Sequence, residues 1–304
     1  MQNKEPLISI IVNCFNGERF LNSCLNSILS QSYKNYEVIF WDNKSTDKSK
    51  LIFLDRKDKR FKYFSDNEHV TLYGARNKAL KVTNGKYITF LDVDDMWYPD
   101  KLEKQVKVME KNSEIGFCYS GFKFLSENSK KLNSAYNNQK LKSGYICSHL
   151  IKEYKVGILT LMVDKSIVKK NKIKFDERFT IMGDLDFVLR LSRVSKGIAI
   201  KFDLAIYRCH LENLSRKTAI TVEERTIWAN DMLSKSIFLK KELIPFIEET
   251  NYLDFITHIK EEKFIKAFKK ILVLRGIFVI KGIFIIFLNL KKFILKKIKS
   301  NFDN

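Results

Sequence analysis

LISIIVNCFNGERFLNSCLNSILSQSYKNYEVIFWDNKSTDKS, residues 7–49, is the stretch on which the fold turns. It opens with LISIIVN (7–13) and carries YEVIFW (36–41) near its end, two continuous apolar runs rich in β-branched and aromatic residues that read as buried strands. Between them Phe20, Leu21, Cys24, Leu25 and Ile28 recur at three-and-four spacing, so residues 17–31 read as an amphipathic helix. Strand, helix, strand in this order is a βαβ unit, the building block of a mainly parallel sheet.

The alternation continues outward. STDKSKLIFLDR (45–56) reads as a helix with Ser45 as N-cap and Asp47 in its first turn, and KYFS (62–65) as a third strand. GARNKALKV (74–82) is helical, KYITFLD (86–92) is a strand buried on both faces, and PDKLEKQVKVMEKN (99–112) is a helix with Pro99 at its first position. Past residue 113 the period is less clean. IGFCYSGFKFL (115–125) alternates like a strand, 126–144 is a polar loop, and GILTLMVD (157–164) is strand-like. FVLRLSRVS (187–195) is helical, GIAIKFDLAIYRCH (197–210) gives one or two strands, and 221–263 is mostly helical.

Composition narrows the class. The 304 residues carry 55 Lys+Arg against 35 Asp+Glu, a formal net charge of +20, with enough apolar and aromatic residues for a core. The five cysteines (Cys14, Cys24, Cys118, Cys147, Cys209) are odd in number and widely spaced, which argues against a disulfide framework or a zinc site and for a reducing compartment. The N-terminus lacks the architecture of a signal peptide, so the sequence-based expectation is a cytoplasmic location.

In open α/β sheets ligands bind beyond the carboxyl ends of the strands. Two acidic clusters fall there: Asp42, Asn43 and Asp47 after the second strand, and Asp92, Asp94 and Asp95 after the fourth. Three carboxylates within four residues repel one another unless a cation joins them, and a hard divalent ion with substrate phosphates is the simplest partner; the plainer alternative is a solvated acidic turn. A dinucleotide-binding G-x-G-x-x-G is excluded, because Gly17 is the only glycine before residue 70, and no P-loop is present. A metal-dependent phosphatase remains a minor alternative, since such an Asp-x-Asp normally follows the first strand.

Five pieces in order then resemble glycosyltransferase family 2: residues 9–49 of the opening stretch, GARNKAL (74–80), GKYITFLDVDDMWYPDKLEKQ (85–105), MGDLDFVLRLS (182–192) and YRCHLENLS (207–215). The resemblance implies a GT-A, Rossmann-like mixed and mainly parallel sheet flanked by helices, followed here by a helical basic C-terminal tail. It implies an inverting enzyme that takes a sugar from a nucleotide-sugar donor to a hydroxyl acceptor with Mn²⁺ or Mg²⁺. Asn13, Phe15, Asp42 and Asn43 become candidate base contacts, and Asn43 departs from the two aspartates of many members, which leaves the nucleotide open. Asp92 and Asp94 would position the ribose and hold the metal, with Asp95 a further candidate ligand, Arg76 a contact to nucleotide or diphosphate, and His210 a diphosphate contact. Asp184 matches the acceptor-side general base, with Asp186 as its understudy. A nucleotide-sugar-binding protein without turnover is the alternative from another class.

The expected organisation is a catalytic domain over 1–220, with a nucleotide-sugar half (1–112) and an acceptor half (113–220). A helical extension (221–263) and a basic apolar tail (264–304) follow. Residues 261–304 hold eleven Lys/Arg against three acidic residues, interleaved with Ile, Leu and Phe rather than with stacking aromatics and Gly. That pattern favours anionic lipid over nucleic acid as partner. ILVLRGIFVIKGIFIIFLNL (271–290) contains Arg275 and Lys281, which nearly cancel its apolar gain in a bilayer. The tail therefore reads as lying on the cytoplasmic face of the membrane, with a single span as runner-up, Gly276 and Gly282 as potential breaks, and a lipid-linked glycan as the natural acceptor.

Overall fold

The computed structural model describes residues 5–111, 114–127, 131–276, 278–283 and 285. Nine strands are found among them: β1 (Ile8–Cys14), β2 (Tyr36–Asp42), β3 (Phe61–Ser65), β4 (Tyr87–Phe90), β5 (Met96–Trp97), β6 (Ile115–Ser126), β7 (Leu132–Ser134), β8 (Met162–Asp164) and β9 (Lys196–Cys209). The helices are α1 (Glu18–Leu29), α2 (Ser49–Leu54), α3 (Leu72–Lys81), α4 (Lys101–Met109), α5 (Cys147–Lys152), α6 (Lys165–Lys170), α7 (Gly183–Val194), α8 (Thr218–Ser234), α9 (Lys240–Lys260) and α10 (Phe264–Ile271).

One mixed sheet runs β3-β2-β1-β4-β8-β6-β9-β5, with β7 paired to β6. The first four strands are parallel, β8 inserts antiparallel to both β4 and β6, and β5 closes antiparallel on β9. This is the GT-A arrangement expected from the sequence. The seven residues of β1 and of β2 are all buried, as continuous apolar runs covered on both faces must be. Ile8, Ile10 and Val12 of β1 pack in one cluster with Leu21, Leu25 and Ile28 of α1. Each such side chain contributes roughly 1.5–3 kcal/mol.

Several boundaries differ from the sequence reading, each for a local reason. Ser45 does not cap a helix: its Oγ accepts from the Asn16 backbone N–H (3.0 Å) and its own N–H donates to Asp42 (2.8 Å), so α2 begins only at Ser49. Asp47 accepts from the Glu18 N–H (2.9 Å) and ties that loop to the start of α1. Pro99 lies two residues before α4. Residues 157–164 form a 3₁₀ turn at Ile158–Thr160 before the three-residue β8, and the polar stretch 126–144 includes β7. Conversely the stretch read as one or two strands over 197–210 is a single fourteen-residue strand, β9, that ends at Cys209 and leaves His210 just beyond it.

The chain divides into two compact units, meeting between Asn213 and Leu214. In the second unit, Arg225 of α8 donates to Thr250 (2.9 Å) and pairs with Glu249 (2.6 Å) of α9, while Trp228 packs on Phe246. Ala267 of α10 is buried with Phe255 of α9 and with Leu274. The tail is not one continuous helix: α10 ends at Ile271, and Gly276 has a φ of 56°, a left-handed turn that breaks the run as its composition suggested. No helix of the described residues is long and apolar enough to cross a membrane. Residues 286–304, which hold the end of the expected span and five of the tail cations, lie outside the described residues.

Candidate functional site

The carboxyl ends of β1, β2 and β4 place the two acidic clusters along one edge of the sheet. At the end of β2, Asp42 is buried and accepts from the Ser45 N–H (2.8 Å) and the Tyr63 hydroxyl (2.7 Å). Burial, and then the bond to this carboxylate, push the Tyr63 phenol up to about 12. Asn43 spends both ends of its amide on the Val70 backbone, donating to O (2.7 Å) and accepting from N–H (3.0 Å), and so ties the end of β2 to the segment before α3. Phe15, at the end of β1, is half exposed (51%) and its ring lies 4.4 Å from that of His69, leaving an aromatic face open to a flat ligand. Asn13 is buried, and its Nδ2 has no hydrogen-bond partner.

The second cluster forms the turn between β4 and β5. Its three carboxylates are differently placed. Asp92 and Asp94 keep side-chain exposures of 32% and 23%, whereas Asp95 is buried and accepts from the Arg208 N–H (3.0 Å). The Arg208 guanidinium in turn donates from Nε to the Asp94 carbonyl (2.9 Å), so β9 fastens the turn from behind. Asp94 Oδ2 lies 2.9 Å from His210 Nε2 and accepts from Asn213 Nδ2 (3.3 Å). Burial and the neighbouring Asp92 raise the Asp94 carboxyl above its ordinary range, with His210 acting against them. Asp95 is raised further, by burial and by Asp94.

Arg76 connects this turn to the acceptor side. It is buried, at 1% exposure. Its Nη2 donates to Asp92 (2.6 Å) and its Nη1 to Asp184, at the start of α7. Burial opposes the guanidinium's charge, but the two carboxylates more than offset it, and its pKa is raised. Burial pushes Asp184 up to about 6 although Arg76 pulls it down, which leaves a carboxylate ionised at neutral pH yet basic enough to accept a proton. The Tyr73 hydroxyl, which donates to Ile181 O (2.8 Å), accepts from the Asp184 N–H (3.3 Å), and the ring sits where a Cβ on Gly183 would meet it at 2.5 Å. Asp186 is buried and paired with Arg190, away from this arrangement.

The structure therefore brings Arg76, Asp92 and Asp184 into direct contact, and joins His210 to Asp94; Asn13, Phe15, Asp42 and Asn43 sit apart from these, at the adjacent carboxyl ends of β1 and β2. Sequence reasoning missed Tyr63, Asn213 and Arg208. The last two lie inside the quoted YRCHLENLS, where only the histidine was singled out.

Among the described residues no three His, Cys, Asp or Glu side chains converge as a complete metal cage. Asp92 and Asp94 suit a cation of the kind held by one or two carboxylates and completed by phosphate oxygens, since both keep side-chain exposure and Asp94 is raised by burial and then by Asp92, a cost that a cation would relieve. His210 Nδ1 is buried without a partner behind them. Asp95, turned inward onto Arg208, supports the turn from below.

A family model described as Glycosyl transferase family 2 matches residues 9–161, just over half of the chain. The UDP-Glc:alpha-D-GlcNAc-diphosphoundecaprenol beta-1,3-glucosyltransferase WfgD of Escherichia coli is 32% identical over 169 residues, covering 56% of this chain and 64% of that protein. The putative teichuronic acid biosynthesis glycosyltransferase TuaG of Bacillus subtilis is 31% identical over 169 residues, covering 54% and 65%. The chain thus spans a little under two thirds of the length of these relatives. Among solved structures, S. aureus TarS 1-349 superposes with a TM-score of 0.62 at 19% identity, covering 79% of this chain and 70% of that one. The mannosyltransferase PcManGT of Pyrobaculum calidifontis, in complex with GDP-Man and Mn²⁺, gives 0.59 at 14%, covering 83% and 70%. These two likenesses bear on the fold.

Proposed function

This chain belongs to glycosyl transferase family 2, and we propose that it transfers a sugar from a nucleotide-sugar donor to a hydroxyl of a glycan acceptor, with inversion. The observation that carries this reading is the Arg76 bridge, which sets the acidic turn at Asp92 and the carboxylate of Asp184 on two sides of one guanidinium. The base of the nucleotide lies on the open face of Phe15 and against Asp42, with Asn13 Nδ2 available to it and Asn43 holding the Val70 segment beside it. Asp94 and Asp92 would hold Mn²⁺ or Mg²⁺, which when bound neutralises charge on the departing diphosphate. Asp184 takes the proton of the acceptor hydroxyl as that oxygen attacks the anomeric carbon from the face opposite the nucleotide, and the bond to the diphosphate breaks. Arg76 keeps Asp184 ionised and aimed, and His210 with Asn213 orients Asp94.

The acceptor in this reading is a lipid-linked glycan met at the cytoplasmic face of the membrane. Two observations support it. WfgD is named for a diphosphoundecaprenol acceptor. On α10, Phe264, Ile265 and Phe268 are exposed and interleaved with exposed Lys263, Lys266 and Lys269, the make-up of a helix that lies in an anionic interface.

The test is thermal stabilisation by UDP-glucose, UDP-N-acetylglucosamine and GDP-mannose, each with and without Mn²⁺, because a ligand of the folded state raises its melting temperature. One donor is expected to stabilise the chain in a metal-dependent way that Asp94→Asn abolishes. No shift with any donor would refute the donor site. Metal-dependent binding with no donor turnover on any acceptor would favour the binding-protein reading.

A further inference from the structure

Behind the acidic turn lies a cation that the reaction does not use. Lys101, in the first turn of α4, is fully buried, although cations are disfavoured at helix N-termini and in cores. Its Nζ donates to Gln105 Oε1 (2.6 Å) and Thr89 Oγ1 (3.1 Å) and sits 3.9 Å above the Trp97 ring. An ammonium has three protons, and two oxygens and one π-face make three acceptors. No carboxylate takes part in these contacts.

Each of the three acceptors also holds the next segment. Trp97 Nε1 donates to Leu159 O (2.8 Å), Gln105 Nε2 to Thr160 O (2.7 Å) and Thr89 Oγ1 to Leu161 O (2.6 Å). Three consecutive carbonyls, at and just after the 3₁₀ turn, are thus fixed to the neighbours of one ammonium. Thr89 and Trp97 are the two stems of the Asp92–Asp95 turn, on β4 and β5 respectively.

We propose that Lys101 is the positioning residue of the donor site: its ammonium clamps both stems of the acidic turn to each other and to the 158–161 segment, in the geometry that binds metal and donor. This rests on the glycosyltransferase reading above. The clamp is strongest when the amine is charged, because the neutral amine loses a donor and the attraction of the indole face. Burial lowers the Lys101 pKa to about 7, and the titratable group facing it is Cys118 of β6, a thiol that burial raises to about 12 and so keeps neutral over this range. Thr89 on β4, Trp97 on β5 and Gln105 on α4 are neutral at every relevant pH. The clamp therefore loosens as pH rises through neutrality.

The test compares wild type with Lys101→Met, a side chain of similar length without charge, using the same three donors and their parent nucleotides with Mn²⁺ from pH 6 to 8.5. Lys101→Met is expected to fold, to bind the stabilising donor at least tenfold more weakly at pH 6, and to lose the decline in affinity with pH that wild type shows. Dependence arising from the metal, the donor or Asp94 is common to both proteins, so only the difference counts. Wild-type affinity in Lys101→Met, or an unchanged pH dependence, overturns the proposal. Should that variant not fold, Thr89→Val and Gln105→Met, each removing one acceptor of the ammonium together with that side chain's bond to the 158–161 segment, carry the same expectation, and wild-type affinity in both overturns it. A wild-type chain that no donor stabilises refutes the site reading itself, a result distinct from a donor shift that the variants leave intact.

Discussion

Arg76→Met takes one buried cation from between two partly exposed carboxylates, and its effect on rate should depend on pH in a calculable way. With Arg76 present Asp184 sits at about 6, so roughly nine in ten molecules hold it ionised at pH 7. Losing an opposite charge in contact raises a carboxyl by roughly one to three pH units, which leaves between about half and about one in a hundred molecules ionised at pH 7. With Asp184 as base, kcat at saturating donor and pH 7 should fall between roughly 2-fold and 100-fold and be largely regained by pH 9. The folded state should also lose stability, by less than the about 3–5 kcal/mol of a fully buried pair, because Asp92 and Asp184 keep 32% and 25% of their side-chain surface in solvent. The sign follows from linkage: Asp184 binds its proton more tightly folded than unfolded, so its burden on stability appears as pH rises above about 4 and is complete only above its folded pKa. In the variant that burden extends to higher pH. Donor turnover from pH 5.5 to 9.5, beside thermal melts over the same range, measures both effects. A rate lost equally at every pH, or not lost at all, would refute the assignment of Arg76 as the group that keeps Asp184 ionised.

Further expectations follow from single contacts. Asp184→Asn should retain metal-dependent donor stabilisation while turnover drops by roughly 10²–10⁴, and parallel loss of both would argue for a binding role instead. Gly183→Ala should cost about 1–3 kcal/mol in a thermal melt, because the new Cβ meets the Tyr73 ring at 2.5 Å; a neutral result would mean that the ring is free to move aside. In flotation with anionic vesicles the chain should co-migrate at low salt and be released by Ile265→Glu with Phe268→Glu, and unchanged flotation of that double variant would exclude α10 as the anchoring face.

The parallel half was legible because its strands are unbroken apolar runs and its helices keep a clear period, so β1, α1, β2, α3 and α4 emerge within two or three residues. The errors cluster where side chains replace backbone partners. The 157–161 stretch looks like a strand because it is apolar, yet its carbonyls are taken by Trp97, Gln105 and Thr89 rather than by a ladder. Ser45 looked like a cap and is instead spent on Asn16. The acidic residues of the site announce themselves by repulsion, which makes them conspicuous in sequence. Their supports do not: Tyr63, Asn213 and Lys101 are ordinary polar residues until the fold supplies partners 21, 119 and 12 positions away.

The strand order carries a consequence for how the molecule comes apart. β4 lies in the middle of the sheet and β5 at its far edge, paired to β9, yet only five residues of chain separate them, and those include the acidic turn. The turn is thus a clasp across a sheet that curls back on itself. Opening the β5–β9 edge relaxes the turn, and deforming the turn pulls on that edge. A fragment ending at residue 112 would keep Phe15, Asp42 and all three aspartates of the turn, but lose β9, Arg208 and His210 that close it. Donor recognition and the integrity of residues 196–213 should accordingly form one cooperative unit, with amide exchange in the acidic turn and along β9 slowed together when donor binds, and no independently folding nucleotide half.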